Sequence, residues 1–249
     1  MANPLRNLLR RVKNLTQPRP KSLGEWAQDH GEVVRVEIQR LLPHVPENAL
    51  VIDVGANVGL FSEALLRERP SARVIQFEPV TRYHQACQER FAGDDRVELH
   101  KLALSDAQEE RPIYKARHNY GANSVMPEIM FDRRDNAMVR PDTVIDQETI
   151  QCTTWELFAK QHGIEHVDFI KTDTEGFDYA VLRGMLPFLE RAERLPVIYS
   201  ELLEEDYHPR WEEQAAVVER LFEIGYEYQD LSSMAKVDDI LFLPAQGNF

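Results

Sequence analysis

The sequence predicts an α/β fold: one seven-stranded, mostly parallel sheet with helices on both faces and an antiparallel hairpin at its C-terminal end. Short apolar, β-branched runs alternate with amphipathic segments along most of the chain, which is typical of a parallel sheet covered on both sides. Near the C-terminus two strand-like runs follow each other, GYEYQDL and VDDILFLP. Because only a short polar stretch connects them, they predict a hairpin at one edge of the sheet.

A helical segment precedes the sheet. Ser22 is followed three residues later by Glu25, which is the spacing of a capping box at the start of a helix. Apolar residues beyond it fall on one helical face: Val34, Ile38, Leu41 and Leu42. We therefore expect one or two helices that end at Pro43.

Strands and helices then alternate through the rest of the chain. The predicted strands are 49–54, 73–77, 97–102, 167–171 and 196–200, followed by the two hairpin strands. The predicted helices are 59–69, 81–91, 177–191 and 211–224. Two apolar sets at helical spacing are expected to pack in the core: Trp155 with Phe158, and Val217, Val218, Leu221 and Phe222. This order of elements is that of a Rossmann-like sheet.

The first 21 residues differ in charge from the rest of the chain. They carry six lysines and arginines and no acid, with leucines at helical spacing between them. We interpret residues 1–21 as a basic amphipathic leader and linker, which either contacts an anionic membrane surface or forms a solvated terminal helix. The predicted organisation is this leader, a helical segment at 22–48, and a catalytic domain at 49–249 with an insert at about 115–150.

Composition restricts the partners and the location. The formal net charge of −13 argues against nucleic acid as a partner, because the chain has no general basic surface to follow a phosphate backbone. Two cysteines, Cys87 and Cys152, are too few for a disulfide framework. The leader lacks the apolar core of a signal peptide, and no apolar run reaches the roughly 20 residues that span a bilayer. We expect a cytoplasmic protein, peripheral on the inner membrane if the leader docks there.

The turn after the first predicted strand, DVGANVG, has the form of a nucleoside-binding loop. Its glycines allow close backbone approach, and the helix that follows offers unpaired N–H groups. It departs from the dinucleotide fingerprint G-x-G-x-x-G, because Asn57 and Leu60 occupy the second and third glycine positions. The loop therefore favours a smaller nucleoside that carries an amino acid. The candidate binding residues are Asp53, Gly55, Ala56, Asn57 and Gly59.

Two further strand ends support the same pocket. Glu78 follows the second strand about 20 residues after the glycine turn, where an acid accepts hydrogen bonds from ribose hydroxyls. The third strand leads into ALSD, which places Ala103, Leu104 and Asp106 beside the predicted adenine. Ligands of open α/β sheets bind beyond the carboxyl ends of the strands, so the three ends together predict an S-adenosylmethionine pocket. The alternative is that these residues are only helix caps and turn formers.

Several motifs, in this order, resemble those of one known family. The segments are VIDVGANVGLFS, FEP, ALSD, ANSV, VDFIKTDTEGFDYAVLRG and SELLEE, and they look like the FkbM family of S-adenosylmethionine-dependent methyltransferases. The resemblance covers Leu50 to the C-terminus and implies a class I methyltransferase fold and O-methylation of a sugar or another hydroxyl. The chain departs from the family at Thr172 and Thr174, where an aliphatic residue is common, and its long segment between the third and fourth strands leaves the acceptor open.

Three acids are predicted to converge at the carboxyl edge of the sheet, beside the cofactor. Asp173 and Glu175 follow the fourth strand, and Glu201 follows the next one. Two mechanisms are open: Asp173 or His208 acts as general base to a hydroxyl, or Asp173 and Glu201 hold Mg²⁺ with waters. The alternatives are a helix cap for Glu175, an ion pair for Glu201, and a solvated or capping role for His208.

The insert supplies the candidate acceptor-binding residues. His118, Tyr120, Asn123 and Ser124 would form a wall of hydroxyl and amide groups, as sugar recognition requires. A non-sugar acceptor fits the same pocket. Two other function classes are a nicotinamide-dependent oxidoreductase, which the missing glycines disfavour, and a non-catalytic membrane-surface adaptor with a relic nucleoside pocket.

Overall fold

The computed structural model describes residues 22–116, 120–121, 123–131, 145–231 and 237–245. The basic leader 1–21 and His118, as well as parts of the predicted insert, lie outside these ranges.

The described residues form seven α-helices and eleven strands. The helices are α1 (Leu23–Leu41), α2 (Leu60–Glu68), α3 (Thr81–Arg90), α4 (Pro127–Phe131), α5 (Trp155–His162), α6 (Asp178–Arg191) and α7 (Trp211–Ile224). The strands are β1 (Leu50–Val54), β2 (Arg73–Phe77), β3 (Val97–His100), β4 (Ala103–Leu104), β5 (Glu109–Ala116), β6 (Asn123–Ser124), β7 (Ile145–Thr153), β8 (Phe169–Thr172), β9 (Val197–Leu203), β10 (Tyr226–Asp230) and β11 (Val237–Pro244).

Seven strands form the central sheet in the order β10-β11-β9-β8-β1-β2-β3. β1 pairs in parallel with β2 and with β8, and β8 pairs in parallel with β9. β11 runs antiparallel to both β9 and β10, so the C-terminal hairpin forms one edge. The predicted seven-stranded, mostly parallel sheet is therefore confirmed. Because the chain continues from β1 to β2 on one side and later returns to β8 on the other, a crevice opens at the carboxyl end of β1.

The core lies on both faces of this sheet. All four residues of β8 and four of the five residues of β1 are buried, as expected for strands covered on both sides. Trp155 and Phe158 are buried in the core, as predicted. The apolar stripe on α7 is confirmed only in part: Val217 and Leu221 are buried, but Phe222 is 41% exposed. Phe222 follows Leu221 directly, and one residue turns a helix by about 100°, so its side chain leaves the buried face.

A second, four-stranded sheet in the order β4-β7-β5-β6 was not predicted. Its strands occupy the region that the sequence pattern left irregular, partly within the predicted insert and partly beside it. Only two of the eight residues of β5 are buried, so the strand has a weak apolar signal, and Pro112 lies within it. The main pairing partner of β5 is β7, which is distant in the sequence. The sheet therefore depends on non-local pairing that periodicity alone does not indicate.

Helix α1 is one continuous helix of 19 residues, and its capping box is present. The hydroxyl of Ser22 accepts a hydrogen bond from the backbone N–H of Glu25 (3.2 Å), and the Glu25 carboxylate accepts one from the N–H of Ser22 (2.8 Å). Ile38 and Leu41 are buried in the cluster that includes residues of β1 and α2. Within the described ranges, no helix combines the length and the apolar composition that crossing a bilayer requires.

Candidate functional site

A cavity of about 330 Å³ lies at the carboxyl ends of the central strands. Residues of β1, β2, β8 and β9, or of the loops directly after them, line its floor. The second sheet contributes one wall and α1 contributes another. Among the residues that line it are Trp26, His30, Glu37, Gly55, Ala56, Asn57, Glu78, Ala103, Leu104, Asn123, Lys171, Asp173, Thr174, Glu175 and Glu201.

The turn after β1 requires a glycine at position 55 on two grounds. Gly55 has a positive φ of 76°, and a Cβ added to it would lie 2.0 Å from the backbone oxygen of Asp173. The N–H groups of Gly55 and Ala56 donate to the carbonyl of Phe77, the last residue of β2 (3.0 and 3.2 Å). Close contact between the β1 turn and the β8 end is therefore built into this loop, and only glycine fits there.

Two of the predicted cofactor residues, Asp53 and Gly59, support this loop from the side away from the cavity. Asp53 is fully buried; it accepts a hydrogen bond from the Ser62 hydroxyl (2.6 Å), and its other oxygen lies 3.3 Å from the Lys171 ammonium. Gly59 is the N-cap of α2, and a Cβ there would lie 2.6 Å from the ring of Phe91. Neither residue is among those that line the cavity. The structure thus places Asp53 and Gly59 behind the loop, in positions that hold its shape.

Glu78 lies at the end of β2, as predicted, and lines the cavity. Its side-chain oxygens accept hydrogen bonds from the backbone N–H groups of Asn57 and Val80 (2.8 Å each). Burial raises the pKa of Glu78 to about 8, against the lowering effect of those two N–H groups. Each carboxylate oxygen has a second lone pair, so Glu78 can still accept hydrogen bonds from a ligand in the cavity.

The structure places the residues of the ALSD segment in two different environments. Ala103 and Leu104 line the cavity, but Asp106 is not among its lining residues. Instead, Asp106 forms an ion pair with Arg183 on α6, with an Nε–Oδ2 distance of 2.8 Å. Although burial opposes it, this guanidinium lowers the pKa of Asp106. In the structure the carboxylate of Asp106 is thus engaged by Arg183, and its position beside the adenine stays a prediction.

Four carboxylates line one end of the cavity: Glu37, Asp173, Glu175 and Glu201. The last three are the acids that were predicted to meet at the sheet edge, and the structure brings them together. Burial, followed by the negative charge of Asp173, raises the pKa values of Glu175 and Glu201 well above the usual range. The same two causes raise the pKa of Glu37 to about 7. This end of the cavity is therefore rich in groups that hold protons near neutral pH.

Lys171, the third residue of β8, lies beneath this cluster. Its ammonium donates to the carbonyl of Gly55 (3.0 Å) and lies 3.6 Å from the Asp173 carboxylate. Burial alone would lower the pKa of Lys171, but the charges of Asp53, Asp173 and Glu37 raise it above its usual value. Lys171 is the one lysine or arginine among the described residues that line the cavity. It therefore joins the turn after β1 to the acidic end.

Glu175 does not cap the helix that follows it. Its backbone has a positive φ of 54°, and the N-cap of α6 is Phe177, which has no side-chain capping bond. The carboxylate of Asp178 accepts the N–H of Thr174 in this turn (3.2 Å). The alternative of a helix cap is therefore excluded for Glu175, and its side chain belongs to the cavity.

His208 does not reach the cavity, which corrects its prediction as a general base. Its ring is buried, with Nε2 3.0 Å from the carbonyl of Gly176 and Nδ1 accepting the N–H of Arg210 (3.0 Å). Both ring nitrogens are thus occupied by backbone groups, and burial lowers the pKa of the ring. His208 fixes the loop that carries Glu175, and no nitrogen is left to accept a proton from a substrate.

The predicted acceptor wall is present only in part. Asn123 lines the cavity. Ser124 is buried and donates its hydroxyl hydrogen to the carbonyl of Glu175 (2.9 Å), so it supports the acidic loop and does not face an acceptor. The carbonyl of Tyr120 accepts the side-chain amides of Asn57 and Asn123 (3.0 Å each), but Tyr120 is not among the lining residues. His118 lies outside the described residues.

Sequence reasoning missed the contribution of α1. Trp26, His30 and Glu37 all line the cavity, and Trp26 stacks on His30 with ring centroids 4.1 Å apart. Their spacing of four and seven residues places them on one helical face, which is a signal that the sequence does contain. The prediction considered only the apolar residues of α1. It therefore identified Ile38 and Leu41, which are buried in the core, and missed the aromatic and charged residues that line the cavity.

In the described ranges, no group of three or more histidine, cysteine, aspartate or glutamate side chains has the arrangement of a metal site. The cavity does contain features that fit a nucleoside with a positively charged group. Asn57 Oδ1 and Thr174 Oγ1 are buried in its lining and have no hydrogen-bond partner among the described residues. Together with Glu78 at one end and the acidic cluster at the other, they offer acceptors for ligand hydroxyls and amines.

Comparison with known proteins agrees with this arrangement. A family model described as a methyltransferase FkbM domain matches residues 53–228. The chain is 24% identical over 163 residues to methyltransferase sdnD of Sordaria araneosa, covering 58% of this chain and 63% of that protein. It is 26% identical over 157 residues to 2-O-methyltransferase NoeI of Sinorhizobium fredii, covering 61% of this chain and 63% of that protein.

A third relative is much larger. AMB antimetabolite synthetase AmbE of Pseudomonas aeruginosa is 44% identical over 168 residues, which cover 57% of this chain and 8% of that protein. The alignments thus span less than two thirds of each of these relatives. Among solved structures, precorrin-6y C5,15-methyltransferase of Geobacter metallireducens matches with 13% identity and a TM-score of 0.45, over 92% of this chain and 93% of that one.

Proposed function

Because the chain belongs to the FkbM methyltransferase family, we propose that it transfers a methyl group from S-adenosylmethionine to a hydroxyl of a sugar, a glycan or a glycosylated small molecule. Methyl transfer and the class I fold follow from the family and from the order of the strands. The oxygen nucleophile and the sugar are the proposed part. The name of NoeI, a 2-O-methyltransferase, supports an oxygen acceptor.

The residues of the β1 and β2 ends would hold the donor. The Glu78 carboxylate is positioned to accept ribose hydroxyls, Gly55 and Asn57 border the turn, and Ala103 and Leu104 offer an apolar surface for the base. When bound, S-adenosylmethionine supplies an electrophilic methyl on a positively charged sulfur. The carboxylates at the other end of the cavity suit that charge.

The observation that carries the proposal is the carboxylate cluster beside that predicted donor site. A hydroxyl is a weak nucleophile, so a base must accept its proton while the carbon–oxygen bond forms. Asp173 is the candidate for this role, because its side chain lines the cavity and is 43% exposed, whereas Glu175 and Glu201 are more deeply held. Lys171 would keep Asp173 oriented, since its ammonium lies 3.6 Å away.

Mg²⁺ held by Asp173 and Glu201 is the alternative way to acidify the acceptor. The two mechanisms predict different responses to a chelator. Base catalysis by Asp173 leaves turnover unchanged in EDTA, whereas Mg²⁺ assistance makes turnover depend on added Mg²⁺. A matched series in EDTA with Mg²⁺ restored distinguishes them.

A non-sugar hydroxyl is the second candidate acceptor. Its basis is that the name of AmbE, an antimetabolite synthetase of which the alignment covers 8%, mentions no sugar. Incubation with S-adenosylmethionine and two acceptor panels, nucleotide sugars with oligosaccharides and hydroxyacyl or hydroxyamino acid derivatives, would separate these candidates. A mass increase of one methyl group in only the second panel would overturn the sugar proposal.

Calorimetry with two variants tests the division of roles. At about pH 9, where Glu78 is ionised, Glu78→Gln should weaken donor binding by about 10- to 100-fold, because it replaces a charged hydrogen-bond acceptor. Asp173→Asn should lower turnover by roughly 10²- to 10⁴-fold, which is more than it weakens donor binding. Absence of donor binding by the unmodified protein would contradict the proposed methyltransferase activity itself.

We also propose that the basic leader 1–21, which lies outside the described residues, brings the enzyme to an anionic membrane surface. Flotation of the full chain and of a chain without residues 1–20 on vesicles that contain phosphatidylglycerol tests this. Equal flotation of the two would overturn it. Because a methyltransferase family model covers residues 53–228, a purely adaptor role is the less supported alternative.

A further inference from the structure

Helix α1 contributes an acid to the cavity from outside the family-matched segment. The family model begins at residue 53, whereas α1 spans Leu23–Leu41. Ile38 and Leu41 anchor the C-terminal half of the helix in the core, so its orientation over the sheet edge is fixed. Glu37 directly precedes Ile38 and lines the cavity. Its carboxylate is therefore held in place by the packing of its neighbour.

The surroundings of Glu37 explain why an acid at this position matters. The charges that act on it are those of Asp173 and Lys171 from the β8 end, and of Asp239 from β11. The Tyr199 hydroxyl on β9 lies between Glu37 and Asp239 and has one hydrogen to donate to either carboxylate; its oxygen is 3.1 Å from Asp239. Glu201 lines the same end of the cavity. Above its pKa of about 7, Glu37 thus adds a negative charge at the end of the cavity that Asp173 also lines.

An ionised carboxylate in the wall of a cavity favours a cation beside it. The proposed reaction uses a donor with a positive sulfur and leaves a neutral thioether product. A carboxylate near that sulfur therefore binds the donor more tightly than the product. The packing of α1 gives Glu37 a fixed place for such a role, whereas the exposed acids of the same helix face solvent.

We propose that Glu37 is a donor-selecting residue: its carboxylate faces the sulfonium end of bound S-adenosylmethionine and favours this cation over S-adenosylhomocysteine. The inference rests on the proposed function, because it requires that the cavity binds this donor. It assigns to α1 a role beyond covering the sheet edge. Methyl transfer removes the positive charge of the sulfur, so the product is bound less tightly than the donor and its release is assisted.

The test compares the dissociation constants of S-adenosylmethionine and S-adenosylhomocysteine by calorimetry, without any acceptor. The two ligands differ only by the methyl group and its charge, so their ratio isolates the electrostatic contribution. At about pH 8, where Glu37 is ionised, Glu37→Gln should lower the preference for the donor by about tenfold. Glu37→Asp retains the charge and should recover most of that preference.

Glu32→Gln is the matched control. Glu32 lies on the same helix with its side chain 74% exposed, so this variant removes the same charge from the solvent side. Because salt screens exposed charges, its ligand ratio should stay within about twofold of the unmodified protein. A ratio that is unchanged in Glu37→Gln, or lowered equally in both variants, would overturn the role of Glu37.

The outcomes also separate this inference from the proposed function. If the unmodified protein binds neither ligand, the proposed donor site fails. If it binds both ligands and the ratio of their dissociation constants is the same in Glu37→Gln, only the inference fails. Should Glu37→Gln not fold, the ratio of the unmodified protein from about pH 5.5 to 8.5 replaces it. The preference should then rise through the pKa of Glu37, about 7, and a flat profile would contradict the proposal.

Discussion

The two ends of the cavity are built on different principles. The donor end, formed by Asp53, Gly55, Asn57 and Glu78, is held by backbone and side-chain hydrogen bonds of 2.6 to 2.8 Å and by a turn that only glycine fits. The acidic end, formed by Glu37, Asp173, Glu175 and Glu201, gathers like charges whose pKa values are raised by burial and by one another. Burial raises the pKa of an acid at each end, Glu78 at the donor end included, but only the acidic end gathers several carboxylates close together.

This difference shows how one cavity can bind a ligand and also act on it. Satisfied hydrogen bonds hold the donor end in one shape, which favours tight and specific binding. Crowded carboxylates destabilise the acidic end, but they supply groups that exchange protons near neutral pH. Lys171 contacts both ends, since its ammonium lies near Asp53 and Asp173. Variants at the boundary should therefore have the largest effects.

The largest effect is expected for Gly55→Ala. A Cβ at this position would lie 2.0 Å from the backbone oxygen of Asp173, so the β1 turn and the β8 end could not keep their contact. We expect the free energy of unfolding to fall by more than about 4 kcal/mol, with loss of donor binding. Urea unfolding and calorimetry measure the two quantities.

Gly93→Ala is the control for Gly55→Ala. Gly93 also has a positive φ, of 81°, but nothing lies within 4 Å of an added Cβ. Only the cost of the left-handed backbone remains there, about 1 to 2 kcal/mol. Equal destabilisation by the two variants would show that the close contact between the β1 turn and the end of β8 contributes little to stability.

Lys171→Met should have the next largest effect. It leaves Asp53 buried with one of its two partners and removes the cation beside Asp173, so we expect a loss of about 3 to 4 kcal/mol near pH 8. The loss should shrink near pH 5, because Glu37, whose pKa is about 7 and whose ionised form Lys171 stabilises, is neutral there. Lys160→Met, which removes a lysine with a 66% exposed side chain, is expected to cost less than about 1 kcal/mol. A deficit of Lys171→Met that is independent of pH would show that the acidic cluster does not depend on this lysine.

The donor end was predictable from the sequence because its parts are local. A buried strand, a glycine turn and a helix follow each other within a few residues, and Glu78 ends the next strand. Parallel pairing then brings those ends together in any fold of this class. The mostly parallel sheet, the hairpin and the capped first helix followed from the same short-range patterns.

The acidic end was only partly predictable because its remaining parts are distant in sequence. Asp173, Glu175 and Glu201 follow strands, so they could be identified, but Glu37 joins them only through the packing of α1. The roles of Ser124 and His208 depend on backbone carbonyls of the loop after β8, which no side-chain pattern indicates. The second sheet was missed for the same reason, since β5 and β7 pair across a long insert.

A smaller effect is expected from Glu37→Gln on the pH dependence of stability. In the folded protein the pKa of Glu37 is about 7, against 4.5 for an ordinary glutamate, so the folded chain holds this proton more tightly. Stability is therefore highest below about pH 4.5 with respect to this group and falls as the pH rises through about 7. The total fall is at most about 3 kcal/mol.

Glutamine at position 37 should remove this fall, so the variant should gain stability relative to the unmodified protein as the pH rises. Urea unfolding at about pH 5 and pH 8 measures the change, and Glu32→Gln serves as the exposed control. Parallel stability profiles for the unmodified protein and Glu37→Gln would mean that burial and the neighbouring acids do not raise the pKa of Glu37. The acidic end would then be no different from the donor end.

The smallest effect is expected for Ser62→Ala, which tests the donor end from behind. The Ser62 hydroxyl donates to the fully buried Asp53 at 2.6 Å, and a hydrogen bond to a buried charge contributes about 2 kcal/mol. Lys171 still holds the other oxygen of Asp53, so the loop should keep its shape and donor affinity should change less than about threefold. Stability that falls without loss of binding means that the hydrogen bonds behind the loop are partly redundant. A tenfold loss of affinity would instead mean that each of them is needed, and that the donor end is as sensitive to a single group as the acidic end.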